Sequence, residues 1–108
     1  MPDFTIKRGD TYPPIKATLT DQDGAINLTS ATAVYLLLSS ASPLIVAACT
    51  IVDAAAGKVS YAWQASDTAT VRQFTGEFEI HWAAGGVETV PNSDTITVSV
   101  VQDLGDAP

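Results

Sequence analysis

The segment Asp21-Gln22-Asp23-Gly24 comes nearest to a metal site in this sequence. Carboxylates at alternate positions are typical of the first half of a calcium-binding loop. Such a loop also needs a glycine at its sixth position and a glutamate at its twelfth, and neither follows Asp21 at that spacing. We therefore predict a β-turn, in which the aspartates bond nearby amides and Gly24 takes a positive φ angle.

The chain has one histidine, His81, and one cysteine, Cys49. They are too few for a zinc site, and a lone cysteine forms no intramolecular disulfide. We expect His81 to be solvated on the polar face of a strand and Cys49 to be a small core residue. The sequence has no Gly-x-Ser-x-Gly elbow and no phosphate-binding Gly-x-x-x-x-Gly-Lys loop. We predict no catalytic residue, no metal and no cofactor, and thus no enzyme.

Two further short patterns can be interpreted either as functional sites or as ordinary structural features. Glu77 and Glu79 share a strand face and could act as a pair of carboxylates, but beside Phe78 and Ile80 they also have the pattern of a solvated face. Residues 8–10 (RGD) match an integrin-binding tripeptide. Three residues recur often by chance, so we favour a turn there and a solvated strand face at the glutamates.

Composition fits one ordered domain. The chain has 108 residues, of which 46% are hydrophobic and 16% charged. Twelve acidic residues against five basic ones give a net charge of −7, which argues against a nucleic-acid partner because phosphate binding depends on Lys and Arg. The longest mostly apolar stretch, residues 44–48, is far shorter than the roughly 20 residues of a membrane helix. With no secretory signal readable, we expect a soluble protein made in the cytoplasm, with no membrane partner.

Apolar residues recur mostly with a period of two, which indicates strands with one buried face. Seven or eight short strands separated by turns predict an all-β fold, a sandwich of two antiparallel sheets. The only candidate for a helix is residues 66–71, scarcely more than one turn. The predicted core consists of Leu19, Val34, Leu36, Leu38, Val59, Tyr61, Trp63, Phe78, Ile80, Ile96 and Val98.

We place the domain at residues 1–102, with a candidate N-terminal arm at 1–14 and a flexible polar tail at 103–108. Apolar residues in these two segments are the candidate partner contacts: Phe4, Ile6, Tyr12 and Leu104. The arm could pair with a neighbour's sheet edge by strand addition. Alternatively, it packs as the first strand of its own sandwich, and the tail stays loose.

Four motifs in order carry a resemblance to a known family. They are residues 6–14 (IKRGDTYPP), 21–24 (DQDG) leading to 27–31 (NLTSA), 57–63 (GKVSYAW) with Asp67-Thr68, and 76–80 (GEFEI) followed by 88–91 (ETVP). Together they resemble the N-terminal domain family of phage baseplate upper proteins, from about residue 4 to residue 101. The resemblance implies an immunoglobulin-like β-sandwich in a tailed-phage or prophage particle.

That family is defined by fold and virion position, so the resemblance brings no catalytic residues. In large members it implies attachment of a receptor-binding protein to the baseplate. For 108 residues we expect a small adaptor or decoration protein of baseplate, tail or head, assembled in the bacterial host cytoplasm. Its partners would be other virion proteins or further copies, with multivalent attachment. The alternative is a carbohydrate- or host-surface-binding module, which needs an exposed aromatic platform among Tyr12, Tyr35, Trp63 and Trp82.

Overall fold

The computed structural model describes residues 4–39, 45–91 and 96–105. Within these ranges the chain forms strands and turns and no helix, so the all-β prediction is confirmed. The strands are β1 (Phe4–Lys7), β2 (Ile15–Thr18), β3 (Thr20–Asp21), β4 (Gly24–Ala25), β5 (Ala31–Ser39), β6 (Ile45–Ala48), β7 (Thr50–Asp53), β8 (Lys58–Tyr61), β9 (Arg72–Trp82), β10 (Val87–Val90) and β11 (Ile96–Val101).

Two main sheets enclose the core. The larger has the strand order β1-β11-β9-β5-β6, and β10 pairs with β9 beyond the end of β11. The smaller has the order β2-β8-β7, and β3 and β4 form a separate hairpin. Alternate residues of the strands point into one cluster that draws on both main sheets.

The predicted core is largely confirmed. Ten of its eleven residues are buried, and the exception, Tyr61, is half-buried against the cluster. The prediction missed Phe74, one of the largest fully buried side chains. Phe74 is the first inward-facing residue of β9 and lies on the same face as Phe78. Further buried residues outside the prediction are Ile6, Ile15, Ile26, Leu28, Ala47, Val90 and Val100.

The N-terminal segment is a strand of the protein's own sheet. β1 pairs with β11 in parallel, with Ile6 beside Val100, so the larger sheet is mixed and the prediction of purely antiparallel sheets is wrong at this edge. Ile6 is buried, and the Phe4 ring lies 5.6 Å from that of Trp63. Of the two alternatives for the arm, packing as the first strand is the one that the structure shows for residues 4–7.

The chain crosses between the sheets at Cys49. The strands on either side of it belong to different sheets: β6 pairs with β5 in the larger sheet, and β7 pairs with β8 in the smaller. The Cys49 amide donates to the carbonyl of Val34 at 2.8 Å, which fixes the crossing. Burial raises the pKa of the Cys49 thiol to about 12, in agreement with a core-facing cysteine that is half-buried.

This cysteine should make stability depend on alkaline pH. Its pKa is about 12 in the folded protein against an ordinary 9.0, so the folded state keeps a proton that the unfolded state loses. We expect the free energy of unfolding to fall as pH rises from 9 towards 12, and to fall less in Cys49→Ala. Urea titrations of both proteins at pH 8 and in the alkaline range measure the difference. Equal declines would contradict a buried thiol.

The candidate helix at residues 66–71 is absent; residues 65–70 form a turn and bends. Hydrogen bonds of its side chains hold this segment in place. The Asp67 carboxylate accepts from the Gln64 amide at 2.9 Å and from the Tyr61 hydroxyl. Burial, with the Asp67 carboxylate second, raises the pKa of Tyr61. Thr68 is fully buried. The segment is therefore a loop that is held in place by the side chains of Asp67 and Thr68.

The structure divides the described residues into eleven strands, more than the seven or eight predicted. The excess arises from β1, from the two-residue strand β3 and from the division at Cys49. Parts of two predictions fall outside the described residues: residues 1–3 of the candidate arm and residues 106–108 of the tail.

Candidate contact surface

The candidate calcium loop is a hairpin turn. Asp21 Oδ1 accepts from the Asp23 amide at 2.8 Å, and Gly24 has a φ of 111°. The turn joins β3 to β4, in which Asp21 pairs with Gly24. Within the described ranges, no group of three or more His, Cys, Asp or Glu residues could hold a metal ion. The β-turn prediction is confirmed.

We expect chelation to leave stability unchanged. Because an amide proton already occupies Asp21 Oδ1, the turn forms without a cation. The melting temperature should be the same with excess EDTA as with millimolar calcium. A fall of many degrees on chelation would show that the aspartates hold a structural ion.

The RGD tripeptide is part of an internally bonded turn. Arg8 Nη2 lies 3.0 Å from Asp103 Oδ1, so its guanidinium pairs within the chain. The Gly9 amide donates to the Thr68 carbonyl at 2.8 Å, and the Thr68 hydroxyl donates to the Asp10 carbonyl at 2.8 Å. Two motifs of the resemblance, residues 6–14 and Asp67-Thr68, are therefore joined in space, and the geometry favours the turn over an adhesion motif.

A second junction fixes the motif that begins at Gly57. The Leu19 amide donates to the Gly57 carbonyl at 2.8 Å, and the Ile26 amide donates to the Leu19 carbonyl at 2.8 Å. Gly57 has a φ of 71°. A Cβ atom there would lie 2.6 Å from the Ile26 carbonyl oxygen. The position therefore requires glycine for both conformation and space.

His81 lies on the outer face of the larger sheet. Its Nε2 is 2.7 Å from Glu79 Oε1, and the Tyr35 ring packs against the imidazole edge-to-face at a centroid distance of 5.0 Å. His81 and Glu79 are half-buried, and Glu77 shares their side of β9. The alternation placed both side chains on the polar face, and the structure adds the hydrogen bond between them.

The structure separates the four predicted contact residues into two groups. Ile6 is in the core, and Phe4 is half-buried against Trp63; these two stabilise the domain itself. Tyr12 is 79% exposed, and Leu104 is fully exposed. Only the latter pair has side chains available to a partner.

Tyr12 and Leu104 belong to segments that leave the larger sheet at the same end. β1 and β11 are parallel, so the residues after Lys7 and after Val101 emerge together, and the Arg8–Asp103 ion pair ties them. Exposed Val71 directly precedes β9, whose first residue, Arg72, pairs with Val100 near the end of β11. We call Tyr12, Val71 and Leu104 the contact end.

Val71 was missed because the sequence placed it in the candidate helix. The structure instead leaves Val71 46% exposed, just before β9. The burial of Thr68 and the backbone bond from Gly9 bring its loop to this end. A pattern of neighbouring residues cannot predict the bond between Gly9 and Thr68, because these residues are far apart in the sequence.

The aromatic residues do not make a broad exposed platform in the described part of the chain. Trp63 is buried, Tyr35 and Trp82 are half-buried, and Tyr12 alone of these four is largely exposed. Trp82 Nε1 donates to Glu88 Oε1 at 3.3 Å, which holds its indole against the strand pair β9–β10.

In the described residues, no helix is long and apolar enough to cross a membrane. No model of a known protein family matches the chain, and no curated protein is similar to it. The resemblance to the baseplate domain family therefore stays a prediction that rests on the motifs.

Proposed function

We propose that this chain is a non-enzymatic structural protein of a tailed phage or prophage particle, an adaptor or decoration module that binds other virion proteins through the contact end. The observation that carries the proposal is the grouping of exposed apolar side chains. Six large hydrophobic residues are exposed in the described ranges, and three of them, Tyr12, Val71 and Leu104, lie in segments that meet the larger sheet at this end. Grouped exposed apolar residues mark interaction sites more often than scattered ones do.

The fold supports the same proposal. The strand order β1-β11-β9-β5-β6 in one sheet and β2-β8-β7 in the other is compatible with an immunoglobulin-like arrangement. The motifs of the resemblance also have a shared structural use, because residues 6–14 and Asp67-Thr68 bond to each other.

The energetics suit a repeated, shallow contact. Burying one exposed large side chain contributes about 1.5–3 kcal/mol, so three of them give a weak contact once the cost of association is subtracted. A symmetric particle presents the same contact many times, and effective concentration then raises the overall affinity. We propose that this weak contact suffices for stable attachment because the particle presents it many times.

Removing the contact end should reduce incorporation into particles. We expect the double variant Tyr12→Ser/Leu104→Ser to lower the copy number per purified particle roughly tenfold or more, since two lost side chains are worth on the order of 3 kcal/mol. The matched control is Val46→Ser/Val87→Ser, because both valines are 59% exposed and lie outside the contact end. Quantitative mass spectrometry of gradient-purified particles gives the copy number. Equal losses in both variants would contradict the proposed surface.

The alternative function, adhesion to a glycan or host surface, has one observation in its favour: the 79% exposed ring of Tyr12. A sugar would stack on that ring and would not need Leu104. Binding of host cells or glycans that is lost in Tyr12→Ser and kept in Leu104→Ser would favour adhesion over the structural function.

A further inference from the structure

A cavity opens at the contact end, beside the loop that precedes β9. Its volume is about 280 Å³. The lining combines one cation, one carboxylate, two hydroxyl groups and two apolar side chains: Arg72, Asp67, Ser66, Thr70, Ile45 and Phe74. This mixture can hold a ligand that has both a charged group and an apolar part.

The Arg72 guanidinium is oriented and lacks a partner among the described residues. It lies over the Phe74 ring at 5.5 Å from the centroid, a cation–π arrangement that holds the group without using its N–H donors. Within the described ranges, the ion pairs involve Arg8 and His81 and leave Arg72 unpaired. A planar, half-buried guanidinium with unused donors suits bidentate binding of a carboxylate.

Asp67 adds a second requirement. Its Oδ2 atom accepts from the Gln64 amide and the Tyr61 hydroxyl, whereas Oδ1 accepts no hydrogen bond from the described residues. A simple anion would be repelled by this carboxylate. A ligand that offers an N–H group to Oδ1 and a carboxylate to Arg72 would satisfy both.

We propose that this cavity binds the side-chain carboxylate of an acidic residue in a partner polypeptide, with a backbone N–H of the same segment donating to Asp67. Ser66 and Thr70 can donate to the remaining carboxylate lone pairs, and Ile45 and Phe74 contact the apolar part of the segment. The inference rests on the proposed function in that the partner is a protein. It adds the chemistry that the partner must present next to the apolar contact end.

The test uses the whole chain and a pair of capped dipeptides, N-acetyl-Phe-Glu-methylamide and N-acetyl-Phe-Gln-methylamide. Amide and arginine side-chain shifts are followed by NMR during titration. We expect the glutamate peptide to shift the Arg72 side chain and the amides of residues 66–72. The glutamine peptide should bind at least about tenfold more weakly, because charge-assisted bidentate bonds are about twice as strong as neutral ones.

Variants separate the cavity from general electrostatics. Arg72→Gln should weaken the glutamate peptide at least about tenfold, and Arg72→Lys should recover only part of the loss because lysine lacks the planar fork. Lys16→Gln is the matched control, since exposed Lys16 lies on the smaller sheet. It should leave affinity unchanged. Unchanged backbone shifts away from residues 66–72 in each variant establish that the fold is intact.

The inference is overturned if the two peptides bind equally, if Arg72→Gln binds like the natural chain, or if Lys16→Gln has the same effect as Arg72→Gln. Tighter binding of free acetate than of the glutamate peptide would also overturn it, since acetate offers no N–H to Asp67. In each case, incorporation that still depends on Tyr12 and Leu104 would leave the proposed function standing.

Discussion

Trp63→Ala is expected to lower the free energy of unfolding by about 3–5 kcal/mol. Trp63 is only 3% exposed, and its indole packs against Phe4 at 5.6 Å and Tyr61 at 5.4 Å between ring centroids. Alanine would remove this burial and leave a cavity that the adjoining strands cannot close. Urea unfolding followed by the fluorescence of Trp82 measures the loss.

Trp63→Phe distinguishes packing from hydrogen bonding. Trp63 Nε1 is buried and has no hydrogen-bond partner in the described residues. Phenylalanine therefore removes a buried donor without breaking a hydrogen bond to a described residue. We expect a cost below about 2 kcal/mol, since part of the lost packing is offset by removing an unsatisfied donor. A loss under about 1 kcal/mol for Trp63→Ala, or equal losses for both variants, would contradict the central position of this side chain.

Gly57→Ala should lower the free energy of unfolding more than the same substitution at Gly9, another turn glycine with a positive φ angle. The φ of 71° costs an L residue about 1–2 kcal/mol. The new Cβ atom would lie 2.6 Å from the Ile26 carbonyl oxygen and 2.8 Å from that of Leu19. Because both atoms belong to the backbone, the hairpin β3–β4 must move and the two bonds at Leu19 weaken, each worth about 1 kcal/mol. We expect a total loss of roughly 3–4 kcal/mol, measured by urea unfolding.

Gly9→Ala is the control for conformation alone. Gly9 has a φ of 80°, and a Cβ atom there would meet nothing within 4 Å. Its loss should therefore stay near the about 1–2 kcal/mol of the left-handed conformation. Equal losses of unfolding free energy in Gly57→Ala and Gly9→Ala would show that the close backbone approach at Gly57 does not determine the cost of its substitution.

The period-two alternation predicted most of the core because burial on one sheet face is a local property of a strand. Val34, Leu36 and Leu38 on β5 and Phe78 and Ile80 on β9 are buried as their spacing indicated. The parallel pairing of β1 with β11 was not predictable in this way. It joins residues more than ninety positions apart, as in Ile6 beside Val100, and alternation does not specify a partner.

Side-chain bonds over long distances account for the other differences. The candidate helix at residues 66–71 is a loop because Thr68 bonds to Asp10, 58 positions away, and because Asp67 binds Tyr61. The run through Cys49 divides because its amide bonds to Val34 and the chain then passes to the other sheet. Neither propensity nor spacing contains these contacts.

The contact surface was predictable in part. Tyr12 and Leu104 stood out as apolar residues among polar neighbours, and both are exposed. Ile6 had the same appearance and is a core residue, because its segment completes the larger sheet. Val71 and the cavity at Arg72 depend on the packing of the loop before β9, which only the folded chain shows.

If this chain is a component of a phage particle, as we propose, it must be present in purified particles. Particles released by induction of a lysogen that carries the coding sequence are purified on a density gradient and digested for mass spectrometry with labelled standard peptides. We predict a fixed copy number per particle that is a multiple of the symmetry of the baseplate, tail or head, retained after a high-salt wash. A chain found only in the soluble fraction, with particles complete and infectious without it, would contradict the proposal.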